Sequence, residues 1–299
     1  MNRRKFLSVL SGTAATAPWF ASSAQSLKSS VPPAPDTTLG STGIVTSRLA
    51  LGTGTRGSKM ASNHTRAGFE SLVHLFRYAY DRGIRFFDLA DQYGSHIYFR
   101  EALRHIPRED VTILTKYQYR FDGNGALKMD QEDQKRAVLK AIDRFRFELK
   151  VDVIDILLMH NVVTPQWDKD CAGYIEGLFE AKQQGHVKAL GMSCHTLEAL
   201  KRAAELDWVE LALTRINPYG VIMDGKPEEV MPVQRKFKAR GASVMGMKIF
   251  GNGKLVKKRD ECMRFAQGLG YLDSMTIGLE STKHIDNTLE LMHKYPAQA

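Results

Sequence analysis

Short apolar runs alternate along the chain with stretches whose apolar residues recur every three or four positions, and that alternation sets the expected architecture. Residues 48–55, 85–88, 111–116, 153–160, 187–194, 209–217, 243–250 and 274–280 read as strands, rich in Val, Ile, Leu and Phe and bounded by polar or glycine-containing turns. After the first of them, Phe69, Leu72, Val73, Phe76 and Tyr80 share one face at helical spacing. Val138, Ile142, Phe145 and Leu149 do the same over 132–149, and a last helix is expected from Ser281-Thr282. Eight strand-then-helix units imply a parallel sheet, and eight of them imply closure. The expected fold is α/β, a (β/α)8 TIM barrel.

A chain of 299 residues, 43% of them hydrophobic, can fill one such barrel without a second domain, here 37–299. Residues 25–36 contain Pro32-Pro33 and Pro35 among Ser and Ala, and are expected to be a flexible linker. Residues 1–24 differ again, with a basic start at Arg3-Arg4-Lys5, a moderately apolar middle, and small residues at Ala21-Ser22-Ser23-Ala24. That order is expected of an export signal rather than a membrane span. The Arg3-Arg4 pair ahead of Lys5-Phe6-Leu7 resembles a twin-arginine signal, which implies the twin-arginine export machinery as a partner and a periplasmic or otherwise exported location. No later stretch approaches eighteen uninterrupted apolar residues, so no membrane span is expected after signal removal.

The formal charge is +9, and removing Arg3, Arg4 and Lys5 leaves +6. The remaining cations are scattered rather than clustered, which excludes nucleic acid as the expected partner and leaves the excess to attract an anionic cofactor or substrate. Cys171, Cys194 and Cys262 are far apart and odd in number, so neither a disulfide framework nor a metal site is expected.

Three consecutive expected strands finish in titratable groups: Asp88, Lys116 and His160, with Tyr93 five positions after Asp88. Strand ends are where a parallel barrel builds its chemistry. A lysine beside a tyrosine is expected to stabilise the phenolate and bring a pKa of about 10 nearer working pH. Such a tyrosine can act as a general acid.

This arrangement resembles the aldo-keto reductase family, whose Phe-Asp-x-Ala-x-x-Tyr-Gly motif is matched by Phe87 to Gly94. The resemblance implies a catalytic tetrad of Asp88, Tyr93, Lys116 and His160. It also implies reduction of an aldehyde or ketone by hydride from a nicotinamide cofactor, with Tyr93 as proton donor. The turn at Leu39 to Val45 resembles the hairpin that plugs the barrel floor in that family. A rival reading is a barrel that retains its nucleotide as a sensor, or docks a partner, without turnover.

From the residues themselves, Gly251-Asn252-Gly253-Lys254 offers amides and a cation for a diphosphate, and Ser281 opens a helix whose N-terminus favours phosphate. No Gly-x-Gly-x-x-Gly opens a helix after a strand, so a Rossmann site is not expected. The family resemblance places Ser193 on the nicotinamide amide and Gly54 and Thr55 beside its ring. Cys194 and Arg215 stand where the family usually has Asn and Gln, and Met247 where it usually has an aromatic. At the adenosine end, Glu280 stands where the family often has a basic residue and His284 where it often has an arginine, with Lys283 as a compensating cation. NADP(H) is the favoured cofactor and NAD(H) the alternative, since an acid near a ribose hydroxyl suits NAD. Tyr119, Phe121 and Trp167, on loops after the third and fourth strands, are expected to give a partly aromatic substrate pocket.

Overall fold

The computed structural model describes residues 31–122 and 126–298. The expected export signal and the first part of the expected linker therefore lie outside the described residues. Residues 31–36 are tied to the barrel rather than free: Ala34 is buried, and the Pro35 carbonyl accepts from the Arg48 amide at 2.7 Å.

An antiparallel hairpin comes first, β1 (Asp36–Thr38) with β2 (Val45–Ser47). Eight parallel strands follow: β3 (Leu49–Gly52), β4 (Phe86–Asp88), β5 (Thr112–Tyr117), β6 (Ile154–Val162), β7 (Val187–Cys194), β8 (Leu211–Arg215), β9 (Ser243–Met247) and β10 (Ser274–Gly278). They close in the order β10-β3-β4-β5-β6-β7-β8-β9, with helices packed outside. The fold is the (β/α)8 barrel.

Side chains in a strand alternate between faces, and here both faces are covered, so the strands read as near-continuous apolar runs. One set, including Ala50, Phe86, Leu114, Ile156, Leu158, Leu211, Leu213, Met245 and Met247, fills the barrel interior. The alternate set, including Leu51, Phe87, Ile113, Leu157 and Val244, packs against Phe76, Phe99, Phe145 and other helical residues outside. Leu39, fully buried, closes the interior set from the hairpin, consistent with the expected floor plug. Gly40 beside it has φ +48°, and a Cβ there would lie 2.5 Å from the Gly241 carbonyl oxygen. Only glycine allows that approach.

Two expectations about the upper loops are corrected. Trp167 is core: it is buried, its indole N–H donates to the Ala199 carbonyl at 3.3 Å, and its ring meets Trp208 edge-on. Tyr119 is likewise buried, with Tyr174 as its ring neighbour. Neither supplies an aromatic wall to the mouth of the barrel, and the Phe121 side chain is outside the described set.

The strand expected to stop at His160 runs on to Val162. Its register with β7 shifts between Met159 and Val162, and Asn161 takes a left-handed φ of +60°. Asparagine tolerates that conformation better than most residues. A bulge of this kind re-aims side chains, and both His160 and Asn161 face the cavity above the barrel.

Candidate functional site

The C-terminal ends of the strands surround a cavity of about 440 Å3. Asp88 ends β4 at its base, with its backbone carbonyl held by the Thr53 amide at 3.0 Å and the Thr53 hydroxyl at 2.9 Å. Its carboxylate accepts from Lys116 Nζ on one oxygen and from the Thr276 hydroxyl, 2.8 Å away, on the other. Lys116 also donates to the Leu89 carbonyl at 2.8 Å. Burial pulls the Lys116 ammonium below its ordinary pKa, and Asp88 opposes that pull. The pair is interior and fully partnered.

Tyr93 lies on the short turn Asp91–Tyr93 that follows β4. The helix Gln131–Leu149 anchors that turn through Arg144, which donates to Asp91 at 2.9 Å. Room for the phenol ring comes from two glycines. A Cβ on Gly54 would stand 2.4 Å from Tyr93 Cζ, and one on Gly57 would stand 2.4 Å from Cδ1. The Tyr93 hydroxyl is 3.4 Å from His160 Nε2, and the rings meet edge-on at 88°.

The electrostatics differ from the expectation at one point. Lys116 Nζ sits 5.0 Å from the centre of the Tyr93 ring and is committed to Asp88. Burial first, and the Asp88 charge second, push the Tyr93 phenol well above its usual pKa. The phenol is therefore a firmly protonated group. Burial, followed by the Lys116 charge, holds the His160 imidazole well below its usual value, so it is neutral. A neutral imidazole carries one N–H and can donate to a carbonyl oxygen.

Of the residues expected to contact a cofactor, Gly54, Thr55, Ser193, Met247, Gly253 and His284 line this cavity. Arg215 does not. It forms an ion pair with Asp224 at 3.1 Å. Gly251 is buried against Val221 and Leu255, Ser281 caps the helix Thr282–Lys294 by accepting from the His284 amide, and Lys254 and Lys283 are exposed outside the wall. The wall near them is instead Asn252, Val256, Arg259 and Asn287.

Sequence reasoning missed Gly57, Gln92, Asn161, His195, Lys248 and Arg259. Gly57 follows Gly54 within the same turn, a signal that was available. Gln92, His195 and Lys248 follow strand ends, Asn161 sits in the bulge of β6 and Arg259 opens the helix Arg259–Gln267, places where position alone does not reveal which way a side chain points.

The chain matches the aldo/keto reductase family over residues 48–290. It belongs to that family. Among curated relatives of this aldo/keto reductase, the NADH-specific methylglyoxal reductase of Escherichia coli K12 is 26% identical over 211 residues, covering 66% of this chain and 62% of that protein. The 6-dehydroglucose reductase of Novosphingobium aromaticivorans is 30% identical over 234 residues, covering 73% and 69%. The chain thus spans less than two thirds of the length of the first of these. An aldo-keto reductase from Bacillus halodurans, solved in its holo form, superposes with a TM-score of 0.65 at 17% identity over 89% of this chain and 92% of that one, a likeness of fold.

A nicotinamide dinucleotide fits the donor set. The cavity runs from the tetrad, past Ser193 and Met247, to Glu280, His284 and Asn287. The Asn161 backbone amide donates to the Ser193 hydroxyl at 3.2 Å, and Asn161 Oδ1 is buried with no hydrogen-bond partner among the described residues, a free acceptor for an amide. Gly253, at φ +92°, leaves open space where a Cβ would be.

Proposed function

We propose that this aldo/keto reductase reduces an aldehyde or ketone with a nicotinamide cofactor, and that Tyr93 donates the proton. The observation that carries this reading is the 3.4 Å approach of the Tyr93 hydroxyl to His160 Nε2 inside a cavity long enough to reach Glu280. A carbonyl oxygen placed between the phenol and the imidazole can accept from both. When bound, the nicotinamide supplies the hydride.

Each protein group then has a separate task. Ser193, Asn161, Thr55 and Met247 would hold the nicotinamide end, while Gly253, Arg259, His284 and Glu280 would hold the diphosphate and adenosine. His160 orients the carbonyl as a neutral donor. Tyr93, kept protonated by burial, gives its proton as charge develops on oxygen, and Lys116 lies close enough to stabilise the resulting phenolate. Asp88, itself held by the Thr276 hydroxyl, keeps Lys116 in place.

Cofactor choice turns on Glu280, which accepts from Asn63 Nδ2 at 3.0 Å and faces the same cavity as Arg259 and His284. The acid suits ribose hydroxyls and the cations suit a 2′-phosphate, so the two nucleotides should be discriminated weakly. Nothing favours the alternative of a nucleotide sensor without turnover, and an assembled proton donor has no task in one. The Arg3-Arg4 motif supports export of the chain by the twin-arginine route. Retention of the precursor in the cytoplasm when both are changed to lysine tests that part. For the reaction, oxidation of NADPH and NADH is followed at 340 nm with a panel of aldehydes and ketones. Carbonyl-dependent oxidation is expected with both nucleotides. None with either would overturn the reading.

A further inference from the structure

The charges lining the cavity do not balance at its inner end. Its acids are Asp88 and Glu280. Asp88 is consumed by Lys116 and Thr276, and Glu280 is at the far end with Asn63. Near His160 stands Lys248, a lining residue whose ammonium has, among the described residues, only Asn252 Oδ1 at 3.4 Å, while Arg120, exposed and outside the lining, reaches the Asn161 carbonyl at 3.5 Å. Arg215 is already neutralised by Asp224. Lys248 is held at a left-handed φ of +58°, a conformation a non-glycine residue adopts at some cost, as functional sites often require.

Neutral donors point the same way. His195 lines the cavity, and among the described residues its ring has no hydrogen-bond partner. The Gln92 side-chain oxygen accepts from both Gln118 and Asn161, each at 3.1 Å, which fixes the amide and leaves its NH2 group as a donor. Burial, then Arg215, Lys248 and Arg120, push His195 down to about 3; the charges acting on it are all positive.

Resting on the reductase reading, we propose that this lobe is an anion-binding subsite, with Arg120 and His195 as its specificity-determining residues and Lys248 and Gln92 beside them, and that the substrate is a carbonyl compound carrying a carboxylate. The carboxylate offsets the unbalanced cations while the carbonyl reaches Tyr93 and His160. A cationic wall disfavours neutral analogues only through the contacts they fail to make, so the signature is a ratio of matched substrates. The cofactor's own diphosphate is the other anion such a wall could serve, and the test separates the two.

Initial rates are compared for 4-carboxybenzaldehyde and its methyl ester, alongside nucleotide affinity by protein fluorescence, in the wild type, Arg120→Gln and His195→Leu. The acid is expected to exceed the ester in kcat/KM by roughly tenfold or more, the scale of one charge-assisted hydrogen bond. Arg120→Gln is expected to bring the ratio towards one, through KM for the acid, with nucleotide affinity unchanged. An equal or better ester overturns the proposal. So does an Arg120→Gln enzyme that keeps the ratio and loses nucleotide affinity, because the wall would then serve the cofactor. If neither compound is reduced, the reductase reading is at fault, and calorimetry with terephthalate and its dimethyl ester tests the subsite alone. Tighter binding of the dianion, weakened in Arg120→Gln, supports it; no binding overturns it.

Discussion

Lys116 stands 5.0 Å from the centre of the Tyr93 ring but gives its hydrogen bonds to Asp88 and the Leu89 carbonyl, not to the phenol. The ammonium is therefore placed to stabilise a phenolate once it forms rather than to create one beforehand. Because burial holds the phenol above its usual value of about 10, Tyr93 stays protonated across the neutral and alkaline range. The rate of carbonyl reduction is expected not to fall between pH 7 and pH 9.5. A descending limb centred near pH 7 to 8 that Tyr93→Phe removes would contradict this.

The same pair has a structural consequence. Lys116 and Asp88 are both buried, so removing the cation strands a carboxylate in the interior. Breaking a buried pair from one side typically costs about 3–5 kcal/mol, much of it the unpaired charge. Lys116→Met should lower the urea midpoint sharply, and Lys116→Met with Asp88→Asn should recover part of the loss. Full stability in the single variant would mean that water reaches Asp88.

Gly54 and Gly57 make a slot for the Tyr93 ring, with no space for a methyl group at either position. Gly54→Ala should displace the phenol, and a misplacement of about 1 Å can cost on the order of a hundredfold in rate. Steady-state kinetics should show the fall mainly in kcat, with the protein still folded by circular dichroism. An unimpaired kcat would show that the ring moves without consequence.

Acid sensitivity follows from the buried imidazoles. His160 is held well below its ordinary value by burial first, and His195 down to about 3, whereas an unfolded chain titrates histidine near 6.5. Below about pH 6.5 the unfolded state therefore binds more protons than the folded one, and stability falls as the pH drops towards 3. Urea unfolding at pH 7, 5 and 4 should show a smaller loss in His195→Leu than in the wild type. Equal slopes would mean that His195 is protonated in the folded protein.

The barrel was legible because its strands are buried on both faces. A run such as Ile154 to Met159 has no alternative use, and helices supply the complementary spacing. The grouping of Asp88, Tyr93, Lys116 and His160 around one cavity was legible because three of them sit near strand ends and the fourth is fixed by a short turn. What escaped reading depends on local backbone geometry. The bulge at Asn161 carries no marker beyond the asparagine itself, and it brings that side chain to Gln92 and that backbone amide to the Ser193 hydroxyl. Trp167, two positions after Pro165, is expected at the substrate pocket, yet the helix Leu197–Ala203 gives it a buried carbonyl to bond. The direction of the Tyr93 shift was missed because adjacency of a lysine does not say whose carboxylate it serves.

The proposed role of Tyr93 as proton donor is tested most directly by Tyr93→Phe, with turnover and nucleotide affinity measured on the same preparation. Loss of a general acid costs about 10²- to 10⁴-fold. The predicted result is a kcat for carbonyl reduction at least a hundredfold below wild type with nucleotide affinity within about twofold. A variant that keeps more than a tenth of wild-type turnover would contradict it.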